Sequence, residues 1–368
     1  MGKPSYRKEL DHLPSYRPAK SLEEIQRELG LTEIIKLSGN ENCLGASPLA
    51  GEAVRNAAGQ LYRYADSTCM SLRGKLARRL NLPEEQLIFG NGSFEIVSLI
   101  AQAFLEPGQA SIIPEPTFGW YRIASLAAGA DLISVPLTQH AIDLTAVSAA
   151  ISSKAKVIWL CNPNNPTGTI FSGASLQNFM KTVPEDTVVV LDEAYYEYVQ
   201  DAAYPESANY LALYSNLIIL RTFSKVYGLA AMRIGYGIAH PDLIGLLNRV
   251  RLPINVNGLA QIAAEAALDD KEFTAAVLEN NRLGQDFYCQ QFDELKLEYI
   301  KTETNFIMVN VEADSRSVAA RALRLGISIR AGSEYGMPAW LRITIGTPAQ
   351  NKRVVDMLRQ VLFSEVRI

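Results

Sequence analysis

Six short apolar runs, separated by longer amphipathic stretches, constrain this chain more than any other feature of it. They are LIF at 87–89, SII at 111–113, LISV at 132–135, VIWLC at 157–161, TVVVL at 187–191 and LIIL at 217–220. Runs of this length with little alternation read as strands buried on both faces. Between them lie helical patterns such as MSLRGKLARRL at 70–80 and FEIVSLIAQAFL at 94–105. Strands alternating with helices specify an α/β fold: a large domain with a mostly parallel sheet flanked by helices. Near RLPINVNGLAQ at 251–261 the rhythm lengthens into helical segments up to about residue 297. NFIMVNV at 305–311, GISIR at 326–330 and WLRITI at 340–345 follow, the pattern of a small α+β domain. Residues 1–35 read as an arm and then a helix around Leu22, Ile25 and Leu29, packed with the small domain. The expected division is therefore 1–35, 36–250 for the large domain and 251–368 for the small one.

Charge and cysteine usage narrow the function classes. Lys and Arg number 35 against 39 Asp and Glu, a net charge of −4, and no segment gathers the basic residues a nucleic-acid surface needs. Hydrophobic residues make up 48% and charged residues 20%, which disfavours disorder. Cys43, Cys69, Cys161 and Cys289 form no C-x-x-C pair, and the three histidines are scattered, so neither a metal site nor a disulfide framework is expected. The first thirty residues hold no signal-like apolar run, and no uncharged apolar stretch approaches ~18 residues. A cytoplasmic protein with no membrane partner is the expectation.

Several common catalytic motifs are missing. GNGSFE at 90–95 has Glu95 where a dinucleotide fingerprint needs its third glycine, and no P-loop, H-E-x-x-H or G-x-S-x-G occurs. In a parallel sheet, ligands sit at the carboxyl ends of the strands. The text just after the apolar runs is therefore where chemistry belongs.

CNPNNPTGT at 161–169 is a stiff turn after VIWL, read equally well as a ligand loop or a plain connection. LDEAYYEY at 191–198 puts Asp192 at a strand end, where a carboxylate either meets a cation or caps a helix, and Tyr195 either bonds or packs. RTFSKVYGLAAMRIGY at 221–236 places Thr222, Ser224, Lys225 and Arg233 together. A lysine just past a buried strand shifts its pKa readily and forms Schiff bases. The hydroxyls and the arginine beside it suit a phosphate. GNGSFE opens a helix, so the backbone N–H groups of Ser93 and Phe94 offer an anion cup. Phe118, in EPTFGWY, is a flat ring at the same sheet edge or a core residue.

Taken together, and in order over nearly the whole chain, these segments resemble the fold-type I pyridoxal-phosphate aminotransferases of class I/II. The most specific of them is the run S-K-x-[YF]-G-L-A-x-x-R-x-G. The resemblance implies pyridoxal 5'-phosphate as cofactor, with Lys225 carrying it as a Schiff base and Asp192 pairing with the ring nitrogen. It also implies that Asn165 and Tyr195 bond the ring's 3-oxygen and that Phe118 stacks on the ring. Ser93, Phe94, Thr222, Ser224 and Arg233 would hold the phosphate. Tyr64, in LYRYADS, would reach the phosphate of a neighbouring subunit, which implies a homodimer with shared sites.

Within that superfamily the N-terminal text is most similar to the histidinol-phosphate aminotransferases. PSYRPAK at 14–20 resembles P-Y-x-P-G-K, and IIKLSGNENCLGASP at 34–48 resembles I-I-K-L-x-x-N-E-N-P-x-G-x-S-P. The resemblance implies substrate contacts from Tyr16, Asn42, Arg330 and Arg342, and transfer of the amino group of histidinol phosphate to 2-oxoglutarate. Cys43, Ala65, Ala19 and Phe118 depart from the family text, standing where Pro, Pro, Gly and Tyr are usual. An aromatic or broad-range aminotransferase is the alternative, and threonine-phosphate decarboxylase a further one. A regulator with a DNA-binding domain is disfavoured, because the motifs begin near residue 14.

Overall fold

The computed structural model describes residues 5–13, 15 and 20–363. Along the chain its strands are β1 (Ile35–Lys36), β2 (Leu87–Gly90), β3 (Ala110–Glu115), β4 (Asp131–Pro136), β5 (Ala155–Cys161), β6 (Val188–Asp192) and β7 (Leu217–Thr222). They continue with β8 (Gly235–Ala239), β9 (Tyr299–Ile300), β10 (Phe306–Asn310), β11 (Ile327–Ser328), β12 (Arg330–Ala331) and β13 (Trp340–Thr344). Seven form one sheet in the order β2-β8-β7-β6-β5-β3-β4. Pairing is parallel from β4 through β7, while β8 runs antiparallel to both of its neighbours. The six apolar runs are strands β2 to β7 of this sheet, and the α/β fold is the one expected.

Alternate residues of these strands enter opposite cores. Ile158, Val189 and Ile219 face one side with the helices Pro48–Ala57, Met70–Leu80 and Gly258–Ala267, and Trp159, Val190 and Ile218 face the other with Ser93–Phe104. Burying each such side chain contributes about 1.5–3 kcal/mol, which is why the runs carry no polar alternation. The seventh strand was not expected, because glycines interrupt GYGIA. Their role is steric: a Cβ on Gly235 would stand 2.6 Å from the backbone nitrogen of Ser93. Only a bare backbone lets β8 pass under the start of the helix Ser93–Phe104.

The second sheet, β12-β13-β10-β9, is antiparallel. Strand β1 pairs in parallel with β11, which carries Ile35 and Leu37 into the core of this sheet. Packing does not change at residue 250. The alanines of Gly258–Ala267 sit in the core of the large sheet, and the helix Lys271–Leu295 bridges the two cores, with Val277 in one and Tyr288 and Phe292 in the other.

The helix Leu22–Leu29 is capped by Ser21 and closed by Gly30 at φ 65°, but none of its residues is buried in the chain. Ahead of it, the segment Lys8–His12 lies against Trp120–Ala128, and Arg7 Nη2 donates to the carbonyl of Ala127 at 2.7 Å. Residues 5–13 thus touch a helix of the large sheet, while the end of the region 1–35 meets the small domain, Glu33 at 3.2 Å from Arg353 and the amide of Ile35 donating to the carbonyl of Gly326 at 2.8 Å. Among the described residues no helix is long and apolar enough to cross a membrane.

Candidate active site

The carboxyl ends of β5, β6 and β7 open into a cavity of about 630 Å³, closed on its far side by Ser38–Glu41 and by β13. Strand β6 delivers Asp192, which is 3% exposed. Its Oδ2 accepts from Tyr121 Oη at 2.7 Å and its Oδ1 from the amide of Ala194 at 3.1 Å. Burial pushes this carboxyl up to about 6, against the pull of those two donors. No ion pair reaches it among the described residues. A buried carboxylate with only neutral partners is a place for a cation.

Strand β7 ends at Thr222, whose hydroxyl accepts from the amide of Ser224 at 3.1 Å, and Lys225 follows. Lys225 Nζ donates to the carbonyl of Asn40 at 3.1 Å. Burial first, and then the nearby guanidinium groups of Arg342 and Arg233, push the ammonium down to about 8. At the neighbouring edge the helix Ser93–Phe104 starts without a side-chain cap, leaving its first amides free. Arg233 lies against that start: a Cβ on Gly92 would run into its guanidinium. A cationic rim and a helix N-terminus together suit a dianion.

From the second sheet comes Arg342, 4% exposed, held between the rings of Phe306 and Tyr335 at 5.3 Å from each. Its Nη1 donates to Asn165 Oδ1 at 2.6 Å and its Nη2 to the carbonyl of Ser38 at 2.9 Å, while its buried Nε has no partner among the described residues. Arg330 stands nearer the mouth, half-exposed, with Nη1 3.4 Å from Glu334. Phe118 meets Phe94 edge-on at 4.9 Å and Tyr121 at 5.2 Å.

Twelve of the residues singled out from the sequence line this one cavity: Ser93, Phe94, Phe118, Asn165, Asp192, Tyr195, Thr222, Ser224, Lys225, Arg233, Arg330 and Arg342. Three do not. Tyr16 lies outside the described residues. Tyr64 is 91% exposed and borders a separate groove with Leu61, Ile254 and Ile262. Asn42, expected as a substrate contact, lies outside the cavity lining and supports the lysine loop: its amide donates to the carbonyl of Val226 at 2.9 Å and its Oδ1 accepts from the amide of Leu44.

Other lining residues escaped the sequence reading. Tyr121, which does not itself line the cavity but donates to Asp192, escaped it too: it stands on the helix Trp120–Ala128, whereas Phe118 precedes that helix, so no shared helical face signalled it. Asn40, Trp120 and Glu334 carry no periodic signal of their own.

The sequence matches the family described as "Aminotransferase class I and II" over residues 32–358. This chain belongs to that family. The aminotransferase is 48% identical over 349 residues to the histidinol-phosphate aminotransferase of Brevibacillus brevis, covering 95% of this chain and 96% of that one. It is 45% identical to the enzyme of the same name from Moorella thermoacetica, covering 98% and 93%. Among solved structures it superposes on histidinol-phosphate aminotransferase from Sinorhizobium meliloti, a complex with pyridoxal-5'-phosphate, at a TM-score of 0.90 and 27% identity, covering 98% of each chain.

Proposed function

We propose that this aminotransferase binds pyridoxal 5'-phosphate and transfers the amino group of histidinol phosphate to 2-oxoglutarate, giving imidazole acetol phosphate and glutamate. The observation that carries the reading is the buried, unpaired carboxylate of Asp192 facing Lys225 across a cavity rimmed by Arg233 and the Ser93 helix start. The residues fit the cofactor. Asp192 lacks a cation, which a protonated ring nitrogen supplies. Ser93, Phe94, Thr222, Ser224 and Arg233 offer amides, hydroxyls and a guanidinium to a phosphate. Phe118 offers a ring face, and Asn165 and Tyr195 offer polar groups between the two ends. Nearly full-length relatives at 45–48% identity support histidinol phosphate as the amino donor.

Bound there, pyridoxal phosphate supplies a carbonyl carbon for amine exchange and a ring that accepts electron density from the substrate's α-carbon. The chain's own residues do the rest. Asp192 holds the ring nitrogen protonated. Lys225, whose ammonium burial and neighbouring arginines push down to about 8, takes the α-proton as a base and returns it as an acid. Arg342 binds the anion of either substrate, because a guanidinium pairs with carboxylate and phosphate alike. Arg330, which among the described residues pairs only with the exposed Glu334, is free to exchange that partner for a substrate phosphate. Two substrates using one site in turn give ping-pong kinetics.

We assign the assembly as a homodimer in the cytoplasm. Leu61, Tyr62, Tyr64 and Leu252 are 68%, 76%, 91% and 68% exposed. Three of these exposed side chains share the segment 61–64, and such a cluster suits a partner surface; Tyr64 would complete the partner's phosphate site.

Steady-state assays with histidinol phosphate, phenylalanine and tyrosine against 2-oxoglutarate test the substrate. Histidinol phosphate is expected to give the highest kcat/KM. A higher value for an aromatic amino acid moves the enzyme to the aromatic or broad-range class.

A further inference from the structure

Asn40 is 1% exposed and takes the left-handed conformation, φ 55°, which asparagine tolerates better than most residues. Every polar group of the residue is engaged. Its amide N–H donates to Thr344 Oγ1 at 3.0 Å, and the threonine hydroxyl donates back to Asn40 Oδ1 at 3.2 Å. Its carbonyl accepts from Lys225 Nζ and from Asn305 Nδ2 at 3.0 Å. Its Nδ2 donates to Tyr195 Oη at 2.9 Å.

The order of these bonds has a direction. A backbone N–H can only donate, so Thr344 Oγ1 is its acceptor and keeps its own proton for another group. That group is Asn40 Oδ1, which turns the amide so that Nδ2 faces Tyr195. A phenol has one proton. Because Tyr195 Oη already accepts from Asn40, and donates to no protein group among the described residues, its proton is left for whatever occupies the cavity.

We infer that Asn40 and Thr344 are positioning residues that set Tyr195 as a hydrogen-bond donor toward the ring oxygen of the bound cofactor. The inference rests on pyridoxal phosphate occupying the cavity. A donated proton stabilises negative charge on that oxygen, so losing it favours the protonated form of the bound cofactor. The charged groups that line the cavity with the phenol are Glu41, Asp192, Lys225, Arg233, Arg330, Glu334 and Arg342, and Thr344 substitutions leave all of them in place.

The test is a pH titration of the visible absorbance of the holoenzyme. Tyr195→Phe sets the full effect, expected at about one to two units upward for a hydrogen bond to a charged acceptor. Thr344→Val, which removes the hydroxyl that orients the amide, and Asn40→Asp, which turns the donor into an acceptor, are both expected to raise the midpoint. Thr344→Ser should restore it. In a Tyr195→Phe background Thr344→Val should add nothing. A Thr344→Val shift equally large with and without the phenol, or no shift in either variant, overturns the inference. Asn40→Asp that fails to fold leaves the threonine pair to decide. Failure of the unmutated protein to gain any visible absorbance from pyridoxal phosphate overturns the functional reading instead.

Discussion

Arg342 Nη1 and Asn165 Oδ1 meet at 2.6 Å, tying the turn after β5 to β13 of the second sheet. One side chain expected at the cofactor thus holds the guanidinium expected at the substrate. The Nε of the same arginine is buried without a partner among the described residues, a donor left for an incoming anion.

Arg342→Ala should impair both half-reactions, since amino donor and keto acid each place an anion there. Removing one side of a desolvated charge pair costs ~2–5 kcal/mol, or roughly thirty-fold to several thousand-fold in kcat/KM. Arg330→Ala should weaken histidinol phosphate more than glutamate, because the phosphate spans more of the anion site. Steady-state kinetics on both substrates check this, and equal losses would remove Arg330 from phosphate recognition.

The amine of Lys225 sets a second expectation. In the cofactor-free protein it should react with an amine-selective acylating reagent with a midpoint near pH 8, not at the ordinary 10.5. Mapping of the modified peptide across pH reads this. Arg342→Ala should raise the midpoint by removing a neighbouring cation, and an unmoved midpoint in that variant would deny the cation's influence.

Asp192 predicts how stability depends on pH before the cofactor binds. Its folded carboxyl titrates near 6 and its unfolded one near 3.8. Between those values the folded chain keeps a proton the unfolded chain has released, so stability falls as pH rises through the window. Over about two units this amounts to ~3 kcal/mol, lost in full above pH 6. Asp192→Asn should therefore melt above the unmutated cofactor-free protein at pH 8 and lose that pH dependence. A lower melting temperature at pH 8 contradicts the burial argument.

Tyr64 carries the assembly prediction. Sedimentation should give twice the mass of one chain, and Tyr64→Phe should weaken cofactor retention by about one charge-assisted hydrogen bond, ~1.5–3 kcal/mol. A fully active monomer would contradict shared sites.

The local parts of this site were readable because chemistry follows the strand ends. Asp192 terminates TVVVL and Lys225 comes five residues after LIIL, so runs with a clear apolar pattern located both. The contacts that orient them were not readable. Tyr121 reaches Asp192 across 71 residues, Asn40 reaches Tyr195 across 155, and Arg342 reaches Asn165 across 177. The first depends on how a helix lies across its own sheet and the other two on how two sheets are placed, neither of which any spacing along the chain encodes. Strand β8 was missed for a related reason: its glycines answer to the helix start above it, and neither period records that contact. Asn42 shows the reverse case, a polar residue in a motif whose amide is spent on loop carbonyls.

In the proposed function, Lys225, Asp192 and the arginine pair make this chain a transaminase of histidinol phosphate. Mixing the holoenzyme with histidinol phosphate alone, with no keto acid, and following the cofactor's visible absorbance tests it most directly. The account predicts that the absorbance falls in one turnover, stays low, and returns when 2-oxoglutarate is added, with neither change in Lys225→Ala. An absorbance that histidinol phosphate leaves unchanged, while glutamate bleaches it, would contradict the account.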